Sequence, residues 1–77
     1  MERKATKRQI QKMCTEFLKA RSGSIFEAIQ AASAMLREWG VRVDWHEMSD
    51  ALDAMESRGE ASRSSYGADG LVEYVIN

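Results

Sequence analysis

The polar side chains best spaced for chemistry lie together between Asp44 and Ser57. His46 is the single histidine of the chain, and a nucleophile–base pair would need it beside Ser49 or Asp50 on one helical face. A metal set could be drawn from His46, Asp50 and Asp53, at i, i+4 and i+7, but neither a fourth ligand nor an outer partner for those ligands can be named. Such spacing arises by chance on any polar helix face. The reading is therefore of a protein that is not an enzyme and carries no metal and no cofactor. Cys14 has no second cysteine to pair with and no histidine nearby in sequence. It falls within an apolar stripe and reads as a small core residue. What the Asp44–Ser57 stretch offers is charged and polar contact to a partner.

The elements that must position these groups follow from caps and periodicity. Thr6 and Gln9 form a capping box ahead of Ile10, Met13, Cys14, Phe17 and Leu18, which share one helical face. This predicts a first helix from about Lys7 to Arg21, with residues 1–6 as a flexible basic arm and 7–77 as one domain. Ser24 and Glu27 suggest a second capping box, although Ser24-Ile25 could instead be a stub strand. The stripe of the second helix is Ala28, Ile29, Ala32, Met35, Leu36 and Trp39, stopped at Gly40. After Val41-Arg42-Val43, Asp44 and Glu47 cap a third helix that ends at Gly59. Its apolar stripe is Trp45, Met48, Ala51, Leu52 and Met55, and its other face carries His46, Glu47, Ser49, Asp50 and Asp53. Trp39 and Trp45 flank the turn between helices two and three and read as core packing that sets their angle. Beyond Gly59 the period changes to two. Asp69-Gly70 marks a hairpin turn, and Leu71 to Ile76 is a strand that lays Tyr74 and Ile76 on the helices. An apolar edge at Leu71 and Val75 would invite a homodimer contact.

Composition bounds the class. The chain has 77 residues, enough for one small core. No apolar run is long enough to span a bilayer, and the first residues lack the apolar segment of a signal peptide, so a soluble cytoplasmic protein is expected. Net charge is −1, but unevenly placed. Residues 1–23 hold seven bases (Arg3, Lys4, Lys7, Arg8, Lys12, Lys19, Arg21) against two acids. Residues 44–60 hold six acids (Asp44, Glu47, Asp50, Asp53, Glu56, Glu60) against Arg58 alone.

The run Ala51-Leu52-x-x-Met55-x-x-x-Gly59-x-Ala61-x-Arg63 resembles the pattern of winged helix-turn-helix domains. There an apolar pair on helix three precedes a glycine and the first wing strand. Tyr74-Val75-Ile76 is similar to the return strand of that family, and the likeness covers roughly residues 7–77. The resemblance implies an α+β, mainly α fold, a three-helix core with a C-terminal β-hairpin. It also implies binding of double-stranded DNA, with helix three in the major groove and the wing alongside. His46, Glu47, Ser49, Asp50 and Asp53 would then form the recognition-helix face. Arg3, Lys4, Lys7 and Arg8 of the arm region, Arg63, Ser64 and Ser65 of the wing, and Arg42 and Arg58 at the flanks would be the other contacts.

The chain departs from that pattern in one respect. DNA readers commonly place Arg, Lys, Asn or Gln on the recognition face, and this helix offers exposed carboxylates with no compensating base. Two functions follow. One is a small DNA-binding regulator or mobile-element accessory factor docking through its basic arm and wing. The other is a protein–protein interaction module whose acidic third helix meets a basic protein surface.

Overall fold

The computed structural model describes residues 6–66 and 71–77, and the helices and strands fall in the order of a winged helix: α1 (Lys7–Lys19), β1 (Ile25–Phe26), α2 (Ala28–Trp39), α3 (Trp45–Ser57), β2 (Ala61–Tyr66) and β3 (Val72–Ile76). The expected hairpin turn at 67–70 lies outside the described residues. α1 opens as its sequence dictates: the Gln9 N–H donates to Thr6 Oγ1 at 3.1 Å, and the Thr6 N–H to Gln9 Oε1 at 2.9 Å. It ends at Lys19, two residues before the expected stop, because Arg21 turns back on the helix. The Arg21 guanidinium donates to the Phe17 carbonyl at 2.9 Å, lies 3.7 Å from the Phe17 ring centre and pairs with Glu38.

The start of α2 differs from the Ser24 cap. Residues 23–26 are drawn into the sheet instead: the Ile76 N–H donates to the Ser24 carbonyl at 2.9 Å, and Ile25 and Phe26 pair with Val75 and Tyr74. The helix therefore begins only after Glu27, whose N–H donates to Gln30 Oε1 at 3.2 Å. Its buried line also shifts. Ala31, Ala34 and Met35 face inward, while Ile29 and Leu36, expected in the core, are 49% and 42% exposed. Small side chains on the inward face allow α3 to approach closely. Gly40 closes the helix at φ 68°, in the left-handed region.

The sheet is antiparallel, in the order β1-β3-β2. β3 is thus the central strand, and Val75 stands between Ile25 and Ser62, so the open edge expected at Leu71 and Val75 is closed over Val75. β2 and β3 slip in register between Arg63 and Tyr66. Phe17, Leu18, Met35, Met48, Leu52, Met55 and Ile76 are fully buried, and Tyr74 nearly so. Cys14 lies among them with its thiol 3.9 Å from the Met35 sulfur. Burial first, and the charge of Glu47 second, push that thiol up to about 11, as befits a core residue. Trp39 meets Phe17 edge-on at 5.2 Å, tying α2 to α1. Trp45 does not pack inward: it is 49% exposed. No helix among the described residues is long and apolar enough to cross a membrane.

Candidate nucleic-acid interface

Asp44 sets the start of α3, accepting from the His46 N–H at 3.3 Å, while its own N–H donates to Glu47 Oε1 at 3.3 Å. With Met48, Ala51, Leu52 and Met55 committed to the core, His46 and Asp50 point outward. Glu47, Ser49 and Asp53 lie half-buried at the margins of that face. The His46 ring rests on Trp45, with centroids 3.7 Å apart.

The carboxylates of α3 are not bare. Lys7, at the start of α1, reaches Asp50 at 3.8 Å. Arg63, on β2, reaches Glu56 at 3.1 Å and Asp53 at 3.5 Å. The Tyr74 hydroxyl donates to Asp53 Oδ1 at 2.5 Å. Burial of the phenol, followed by this bond to a carboxylate, pushes Tyr74 up to about 12. The expectation that the acids of helix three lack compensating bases is therefore corrected. The bases come from distant segments of the chain, and the pairing engages two residues assigned to DNA, Lys7 and Arg63.

The remaining candidates are dispersed. Arg42 is exposed in the α2–α3 connection, and Ser64 is exposed on β2. Arg58, just past α3, pairs with Glu60 at 2.9 Å, as does Lys19 at 3.0 Å. Hydrogen bonds from Lys19 and then Arg58 hold the Glu60 carboxyl below the usual carboxylate range. Arg3, Lys4 and the side chain of Ser65 lie outside the described part.

Arg8 and Arg58 are brought together, and with them two bases that the residue-by-residue assignment omitted. An open cleft of about 370 Å³ runs along α1 past Arg8, Lys12, Thr15 and Lys19 and meets Arg58 from the end of α3. Positions 8, 12, 15 and 19 recur at helical spacing, a signal present in the sequence. On the other side of α3, Ile29, Trp45, Leu71, Val72 and Tyr74 line a mostly apolar hollow of about 270 Å³.

No family model matches the chain, and no curated protein does either. Among solved structures the fold is similar to a chain of HOP2, studied for its DNA recognition and protein interaction domains and its homologous DNA pairing properties. The TM-score is 0.64 at 16% identity, over 88% of this chain and 98% of that one. At that identity the likeness establishes the winged-helix fold alone.

Proposed function

We propose that this chain is a small winged-helix domain that binds double-stranded DNA mainly through phosphates, as a transcriptional regulator or an accessory factor of a mobile element. The observation that carries this reading is the pairing of Asp50 with Lys7 and of Asp53 and Glu56 with Arg63. It screens the carboxylates that would otherwise repel a phosphate lattice. The likeness to a HOP2 chain studied for DNA recognition supports the same reading. Arg3, Lys4, Lys7 and Arg8, with Arg42, Arg58, Arg63, Ser64 and Ser65, are the proposed backbone contacts. His46 is the residue of the helix-three face best placed for a base edge. Base readout is slight, because Asp53 is occupied by Tyr74 and Ser49 is half-buried.

A gel-shift titration with generic duplex tests this. The chain should retard duplex at low salt and lose it steeply as salt rises. Asp50→Lys, at an exposed position, should tighten binding severalfold. Absence of any retarded band at low ionic strength retires the reading.

A second reading, a protein interaction module, draws support from the apolar hollow beside α3, where Trp45, Ile29 and Leu71 remain exposed. It predicts that Asp50→Lys abolishes capture of a basic protein partner while Lys7→Glu leaves it intact.

A further inference from the structure

α1 carries a face that the major-groove mode leaves unused. Arg8, Lys12 and Lys19 lie on one side of it, exposed, with Arg58 contributed across the cleft by the end of α3. Among the described residues four bases thus line the cleft against one acid, Glu16. Among the described residues neither Arg8 nor Lys12 has an ion-pair partner, whereas Lys19 and Arg58 share the single carboxylate of Glu60. At a rise of about 1.5 Å per residue the row from Arg8 to Lys19 is about 16 Å long. A duplex carries one charge about every 1.7 Å of axis, shared between two strands that wind around it, so a straight row of this length can meet a few phosphates. Gln11 adds a hydrogen-bonding side chain between the cations, while the Thr15 hydroxyl donates to the Gln11 carbonyl at 2.9 Å.

We propose that this α1 cleft is the principal phosphate track of the protein, so that duplex DNA lies along α1 and the end of α3 and the wing is not required for grip. The inference rests on the duplex-binding reading above. The occupant follows from the lining. Among the described residues no aromatic side chain borders the cleft, so they offer no stacking platform for unpaired bases. The apolar stripe of α1 is buried in the core, which leaves nothing to insert into a lipid surface. A row of cations on an open floor is accessible to the charged backbone of a duplex.

The test is a salt titration of duplex binding by the full chain and three variants. Wild type should show a log–log slope no shallower than about −3 to −4, the share that the four cleft cations supply. The double variant Arg8→Glu with Lys12→Glu, at exposed positions, should weaken binding at least tenfold and flatten the slope by about 2. Glu60→Gln, which frees Lys19 and Arg58 from their carboxylate, should tighten binding about threefold. Arg37→Glu, exposed on α2 and absent from the cleft's described lining, should change binding less than twofold. Wild-type binding that survives the double variant with an unchanged slope overturns the cleft and leaves duplex binding standing. Failure of the wild-type chain to bind duplex at any salt overturns both. Capture by anionic lipid vesicles, lost in the double variant while duplex is not bound, would assign the cleft to a membrane instead and overturn the proposal.

Discussion

Asp53 sits where a recognition helix would present a base-reading group, and its neighbours give it other work. The Tyr74 hydroxyl and the Arg63 guanidinium both end on its Oδ1, so one carboxylate joins α3 to β2 and to the central strand. Replacing Tyr74 by Phe removes a hydrogen bond to a charged group at a half-solvated site and should cost about 1 kcal/mol. Burial of the phenol, and after it this bond, also has a pH consequence. The phenol titrates at about 12 in the folded protein against an ordinary value of 10.0, so folding favours its protonated form. That contribution, on the order of 2 kcal/mol for a shift of this size, is complete below pH 10 and is lost as pH rises through about 12. Denaturant titrations between pH 9 and 12 should therefore show wild type losing more stability than Tyr74→Phe. Parallel profiles would mean that the phenol does not feel its burial.

At the scale of elements, legibility depends on whether a signal is local. The Thr6–Gln9 and Asp44–Glu47 boxes are contained within four residues, and both form as read. The Met48–Leu52–Met55 stripe is equally plain, since the other side of α3 is polar. α2 is different. Ala28, Ile29, Ala31, Ala32, Ala34, Met35, Leu36 and Trp39 surround most of that helix, so periodicity permits more than one inward face. The close approach of α3 decides in favour of the small residues, and Ile29 and Leu36 are left outside. The strand at Ile25–Phe26 is legible only as an alternative to the Ser24 cap, for a similar reason: its partner is β3, far along the chain. The candidate site shares this property. Its residues were visible as types, but the Lys7–Asp50 and Arg63–Asp53 pairs that change their meaning exist only after folding. A local signal can also be tested locally. A Cβ added at Gly40 would meet nothing within 4 Å, so any cost of Gly40→Ala comes from the backbone at φ 68° alone. Thermal or denaturant unfolding should place that cost at about 1 kcal/mol.

For the whole molecule, the uneven charge of the sequence is folded back on itself. The basic first helix meets the acidic stretch that begins at α3 through Lys7–Asp50 and Lys19–Glu60, which leaves Arg8 and Lys12 as cations of α1 with no ion-pair partner among the described residues. Exposed pairs of this kind contribute about 0–1 kcal/mol each, so the fold rests on its apolar interior. β3 is central to that interior, supplying Tyr74 and Ile76 and pairing on both sides. A chain ending at Leu71 should show no cooperative thermal transition by circular dichroism. A retained transition would show that the helices suffice.

That arrangement also sets a timetable for biosynthesis. Every helix has been translated before the strand that β1 and β2 both require, so the nascent polypeptide waits, with Ser24 and the start of β2 lacking their hydrogen-bonding partner, until residues 72–76 clear the ribosomal tunnel. During that wait it is open to chaperones and proteases, and protection arrives in a single late step.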